Sequence, residues 1–369
     1  MELCILNFKP RKFYMKFNSS LLIIFCLALY GCKKPIPAPI FEGVFISPIL
    51  EDSLLNIRAI ELNNKALVAV SSVGDVYHYD LKMKTITKNR FSQDTLNVRS
   101  MALVGDTVFA LSIASPAYLY KNSRLVYSEL DSAVFYDSME FWNHQEGIAM
   151  GDPTDDCLSI LITRDGGERW HKIPCEQLPK AIEGEAAFAA SDTNISIVGD
   201  QVWIASGGMA SRVIYSSDKG RSWTVFDTPI VQGTPTTGMY SIDFYDDKNG
   251  FAIGGDYTKS KSNIKNKIKT VDGGQTWQVV GYEKNPGYRS CVQYVPNSNA
   301  MGLVAIGFEG IDYSFDGGIS WVSLSSEGFY TLRFLNDSTA FAAGKGRLAK
   351  LNFKLKKEYY SKDCIMIKE

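Results

Sequence analysis

Thr270-Val-Asp-Gly-Gly-Gln-Thr-Trp277 is one of four near-copies of a single octapeptide in this 369-residue chain. The others are Thr163-Arg-Asp-Gly-Gly-Glu-Arg-Trp170, Ser216-Ser-Asp-Lys-Gly-Arg-Ser-Trp223 and Ser314-Phe-Asp-Gly-Gly-Ile-Ser-Trp321. Asp followed by Gly between two β-rich runs signals a tight hairpin. The Asp side chain accepts from nearby backbone amides, and Gly tolerates a positive φ. The closing Trp opens the next strand and offers roughly 150–250 Å² with which to cement one sheet against its neighbour. Asp165, Asp218, Asp272 and Asp316 recur at intervals of 53, 54 and 44 residues. That is the length of one four-stranded blade per repeat, which indicates a β-propeller and gives the four carboxylates a structural role.

Copies without the octapeptide follow from the same strand pattern. One runs through 56–62, 66–72 and 75–79, and a second through 98–103, 107–112, 117–120 and 125–127. The blades that carry the octapeptide begin near Tyr136, Glu185, Met239 and Tyr288, and a last partial blade begins at Phe329. The expectation is an all-β, seven-bladed β-propeller in a single domain over residues 41–369. The last blade is short of a strand, and Phe41-Glu-Gly-Val-Phe-Ile46 is expected to supply it and remove an exposed edge.

The pattern hydroxyl-x-Asp-x-Gly-x-x-Trp resembles the Asp-box of bacterial neuraminidase-type (BNR) repeats. A closer resemblance covers roughly residues 135–325. It rests on Gly147-Ile-Ala-Met-Gly-Asp-Pro153, Gly184-Glu-Ala-Ala-Phe-Ala-Ala-Ser191, Ala205-Ser-Gly-Gly208 with Arg212, Gly254-Gly-Asp256 and Gly287-Tyr-Arg-Ser290. Together these look like a bacterial family related to the photosystem II stability/assembly factor, whose members often carry a loose oxidoreductase label. The resemblance implies an extracytoplasmic seven-bladed propeller; no pigment-binding feature accompanies it.

Lys+Arg 39 against Asp+Glu 40 leaves no positive excess to favour nucleic acid. At the N-terminus, Arg11, Lys12 and Lys16 precede an apolar run over 21–30, too short to cross a bilayer but suited to a signal peptide. Leu29-Tyr30-Gly31-Cys32 resembles a lipobox. Residues 1–31 are therefore read as a signal peptide, with Met15 an alternative start, Cys32 as the lipidated residue, and 32–40 as a tether. The expected location is the cell envelope, lipid-anchored, with the outer membrane favoured in a two-membrane host. Cys157 and Cys175 flank the first octapeptide. Pairing across that hairpin places them opposite each other, as a candidate disulfide. No Cys/His cluster suggests a metal, and no cofactor is expected.

Strand order places the octapeptides on one face of the disc and the loops between second and third strands, with the blade-to-blade connections, on the other. Asp152, Glu185, Arg212, Asp256, Tyr288 and Arg289 all fall on that second, glycine-rich face and are the candidate ligand or partner site. A structural pairing of Arg289 with Asp256 or Glu185 competes with that role. Gly344-Lys-Gly-Arg-Leu-Ala349 mimics a dinucleotide fingerprint, but too few residues follow it for the helix and second strand required. No Arg-Ile-Pro supports a sialidase. The favoured reading is a non-catalytic binding or assembly module for an envelope protein or glycan. The alternative is a glycosidase-like hydrolase using Asp152, Glu185 and Asp256.

Overall fold

The computed structural model describes residues 39–92 and 96–356; the signal peptide, Cys32 and most of the tether lie outside the described residues. The four octapeptides adopt one geometry. In each, the leading hydroxyl accepts the amide four residues on, as Gly167 N–H donates to Thr163 Oγ1 (2.9 Å) and Gly274 N–H to Thr270 Oγ1 (3.0 Å). The same hydroxyl donates to the Asp, whose carboxylate accepts a further amide four residues after it, as at Asp272 from Thr276 N–H (3.0 Å). The glycine that donates its amide to the leading hydroxyl has positive φ in each turn, between 75° at Gly220 and 90° at Gly318. At Gly318 an added Cβ would meet Phe251 at 2.2 Å, so this glycine also lets the neighbouring blade approach. Burial opposes ionisation at Asp165, but bonds from Arg169 and Thr163 outweigh it and bring the carboxyl down to about 2.

The tryptophans lock blades together as the pattern requires. Trp277 is buried among Trp203, Ala205 and Val213 of the preceding blade, with its Nε1 donating to Gly274 O at 2.9 Å. Trp277→Ala should therefore cost about 3–5 kcal/mol, read as a lower denaturant midpoint at unchanged secondary structure.

The strands form six sheets, so the propeller has six blades and not the seven expected from the repeats. Five blades arise in sequence order, with innermost strands Val98–Val104, Tyr136–Phe141, Ile195–Val198, Thr237–Phe244 and Cys291–Tyr294. The sixth sheet is why the count differs. Phe41–Leu62 runs unbroken for 22 residues, pairing through its first half with Thr339–Leu355 and through its second half with Ala66–Ser71. The repeat units read as first and last are thus one six-stranded sheet holding both ends of the described chain. This sheet is blade one, and the others are numbered two to six along the sequence. Gly344–Ala349 lies inside the Thr339–Leu355 strand of blade one.

Cys157 and Cys175 form a disulfide with Cα atoms 5.4 Å apart. It sits beyond the end of the ladder between Ser159–Thr163 and His171–Lys172, tying the start of a short 3-10 turn to the loop before the strand. Among the described residues no helix is long and apolar enough to cross a membrane.

Candidate functional site

The innermost strand of a blade is an edge facing the central channel, and in this chain it is repeatedly bulged. Pairing to the second strand skips one residue at Arg58, Arg99, Asp137 and Tyr240. Ser290 and Tyr330 stand in the same relation. Their amides donate to Ile306 O and Ala343 O, while the next residues, Cys291 and Thr331, pair with those same partners. A bulge re-aims the extra side chain. Here it sends Arg58, Arg99, Tyr240, Ser290 and Tyr330 into a common cavity of about 440 Å³ at the mouth opposite the octapeptide turns. The bulge also explains the glycine-rich face. At Gly254 an added Cβ would lie 1.9 Å from Gly238 O, and at Gly151 it would lie 2.1 Å from Phe135 O. At these two positions only glycine fits against the facing backbone, whereas Ser71 and Ser112 stand opposite the equivalent residues of the first two blades.

The cavity has two sectors. One holds Arg58 and Arg99, partly buried and without an ion pair to any described residue. Burial lowers both guanidinium pKa values, and the nearby charge of Arg58 adds to the effect at Arg99. Arg58 also lies 4.2 Å over the Tyr330 ring. The other sector is aromatic: Phe188 stacks on Tyr240 at 3.9 Å, Tyr288 meets Tyr240 edge-on at 4.7 Å, and Phe308 follows at 5.4 Å. Asp152 also lines the cavity and accepts from Ala187 N–H at 2.7 Å. Burial pushes its carboxyl up to about 6 in spite of that bond. Asp137, fully buried, is pushed well above the usual carboxylate range by burial and then by Asp152, with Arg99 and the Ala189 amide opposing the shift.

The floor is a feature the sequence reading did not anticipate. The segment 187–194 turns into the channel before the innermost strand of blade four and bonds to every other blade. Asp192 accepts from Met101 N–H (2.8 Å, blade two) and Met139 N–H (3.2 Å, blade three). Thr193 meets Ser241 (2.8 Å, blade five), and Ser191 donates to Ser290 O (2.6 Å), beside blade six. Blade one contributes Thr331 to Ser191 O, Arg58 to Ala190 O, and Arg333 to Asp192 O. The channel is thereby a dead end from both faces. A second cavity of about 450 Å³, with Glu140, Asp243 and Gln293 in its wall, lies on the far side of Asp192 and Thr193.

Of the six candidate residues, the cavity gathers Asp152 and Tyr288. Glu185 and Arg212 form a closed ion pair, with Nη2 donating to Oε2 at 2.5 Å and the Glu185 side chain fully buried. Arg289 pairs with neither Asp256 nor Glu185 but with buried Asp312, at 2.6 Å. Asp256 accepts from the Thr258 amide and hydroxyl and caps a 3-10 turn. The three carboxylates proposed for a hydrolase therefore do not converge. Tyr288 is delivered by the 284–287 loop, which Lys267 pins by donating to Lys284 O (2.8 Å) and Pro286 O (2.7 Å). Among the described residues, Asp155, Asp156 and Cys175 are close enough to share a cation, but the Cys175 sulfur is spent in the disulfide.

No family model and no curated protein matches the chain. Solved structures do. Against YCF48 bound to D1 peptide the TM-score is 0.60 at 13% identity, covering 88% of this chain and 100% of the other. The chain is similar in fold to YCF48. A second YCF48 structure, from Cyanidioschyzon merolae, aligns at TM-score 0.57 and 14% identity over 85% of this chain and 98% of that one. U3-55K aligns at 0.58 and 10% identity over 86% and 100%. The similarity to YCF48, a photosystem II assembly factor, agrees with the resemblance drawn from residues 135–325, and at these identities it concerns the fold.

Proposed function

We propose that this chain is a non-catalytic binding or assembly module of the cell envelope, anchored by lipid at Cys32, which receives a segment of a partner protein in the bulge-lined mouth. One observation carries this reading. Two guanidinium groups face a cavity beside an aromatic wall and hold no ion pair among the described residues, and a partly desolvated cation pair recruits an anionic group from outside. The aromatic sector supplies apolar area for the rest of the segment, and a hydrophobic wall with few fixed charges is the usual composition of a binding pocket. YCF48, similar in fold, has been seen with a bound peptide.

The test is in-cell photocrosslinking from position 308, at the rim of the aromatic sector. A discrete protein adduct is expected, lost in the Arg58→Ala/Arg99→Ala double variant at unchanged expression. An adduct that survives the double substitution would remove the mouth from the function. Asp152 adds a pH dependence. Its folded pKa is raised, so it is neutral below about 6 and becomes an anion in the same cavity above it. Affinity for an acidic segment should fall as pH rises through about 6, and Asp152→Asn should flatten that profile in a binding titration from pH 5 to 7.5. Linkage has the same sign: stability from the protonated group is lost between the unfolded carboxyl value, near 4, and about 6.

A further inference from the structure

The octapeptide face is not uniform. In blades three and four its turns form a closed ionic network, in which Glu146 takes Arg164 (3.0 Å), Lys219 (2.7 Å) and Arg221 (3.1 Å). The corresponding turns of blades five and six carry Val271, Met301, Phe315 and Ile319, with Leu335 near the end of strand Thr331–Asn336 in blade one. All five are exposed, Val271 to 64% and Ile319 to 55%. These turns adjoin. Gly317 N–H donates to Met301 O at 2.8 Å, and a Cβ on Gly317 of blade six would lie 2.5 Å from Nζ of Lys269, two residues before Val271 in blade five. Single exposed apolar side chains are ordinary; four on adjoining turns, with a fifth at a strand end of the next blade, mark an interaction surface.

The path of the chain says what meets it. Tyr313 donates its hydroxyl proton to Pro39 O, and Lys356 N–H donates to Ile40 O (2.8 Å). Residue 39 thus enters beside the end of strand Gly310–Ser314, one residue before Phe315. Six residues separate Pro39 from Cys32. Even fully extended, that chain reaches about 25 Å. We propose that the apolar turns of blades five and six rest on the lipid surface that holds Cys32, which turns the mouth away from the membrane. This rests on the reading of Cys32 as lipidated. A single membrane attachment gains from a second, weaker one, and apolar side chains entering the interface supply it.

The full chain, expressed in a bacterial host, can be photolabelled in its own membranes with a phospholipid carrying a diazirine in its acyl chain. Lipid adducts are expected on the Val271 and Phe315–Ile319 turns, and not on the Asp155–Asp156 loop at the mouth. Val271→Ser/Phe315→Ser/Ile319→Ser should lose these adducts while the protein stays in the membrane fraction and keeps its circular dichroism. Membrane-bound protein with adducts on neither face, or equally on both, overturns the orientation. So does a crosslink from position 315 to a second copy or to another protein in place of lipid. Cys32→Ser separates the premises: if that variant stays in the membrane fraction as wild type does, the anchor reading itself has failed and the orientation falls with it. The mouth reading stands or falls separately, on the Arg58/Arg99 crosslink.

Discussion

A chain lacking residues 41–48 should fail to hold a folded ring. This segment is the pairing partner of the C-terminal strand of the described chain, from Phe41 opposite Leu355 to Pro48 opposite Ala349. Phe41 is 2% exposed and stacks on Phe353 at 4.7 Å, with Tyr313 of blade six at 4.5 Å. Val44 and Ile46 pack on the same core cluster, which contains Val295, Ile311 and Leu351. At about 1.5–3 kcal/mol for a fully buried side chain, losing Phe41 with half-buried Val44 and Ile46 removes roughly 3–6 kcal/mol before any hydrogen bond is counted. Native stabilities are about 5–15 kcal/mol, so the deletion takes a large part of the whole. It also bares a long strand edge, which invites intermolecular pairing. The expected result is loss of soluble, monodisperse protein; a soluble deletion with an unshifted denaturant midpoint would show that the first eight strand residues are dispensable.

What the sequence reveals and what it hides follow from the range of the interactions. The octapeptides are local: Thr270, Asp272 and Gly274 satisfy one another within five residues, so their geometry can be read from the pattern. The glycines at 151 and 254 are also visible, but they look like turn residues. Their cause is a bulge on the facing strand, which no local pattern shows. Repeat alignment would have exposed it, because Ile57-Arg58-Ala59, Val98-Arg99-Ser100, Tyr136-Asp137-Ser138 and Met239-Tyr240-Ser241 share one form: apolar, bulged residue, small residue. Arg58 and Arg99 are therefore legible in principle, but only once the innermost strands are aligned with one another rather than the loops. Glu185, Arg212 and Arg289 sit on the expected face, yet Glu185–Arg212 and Arg289–Asp312 are self-contained pairs, and such pairing is long-range information. The blade count turned on whether Phe41–Leu62 is one strand or two, and its pairing with Thr339–Leu355 on one side and Ala66–Ser71 on the other is long-range information.

Asp192→Ala should be among the most damaging single substitutions in the chain, although nothing in the local sequence marks the residue. Its carboxylate is the sole hydrogen-bond acceptor described for Met101 N–H and Met139 N–H, which would otherwise face the channel unpaired on two different blades. Each orphaned buried donor costs about 1–3 kcal/mol, so the pair represents roughly 2–6 kcal/mol. The backbone adds to this, because Asp192 has φ 58°, a conformation that Ala tolerates less well than Asp or Asn. Burial raises the Asp192 carboxyl well above its usual range, with Arg333 opposing the shift, so the side chain is useful for its oxygens more than for its charge. Asp192→Asn keeps the left-handed backbone and one oxygen, and should lose about half as much stability as Asp192→Ala. Because the same segment floors both cavities, the two variants should also weaken capture at the mouth in the order Ala, then Asn, even where each remains folded. Thermal melts and the position-308 crosslink measure these separately. Equal stability of Asp192→Ala and wild type would mean that water serves the two amides as well as the carboxylate does, and that the segment closing the channel is a passenger rather than its keystone.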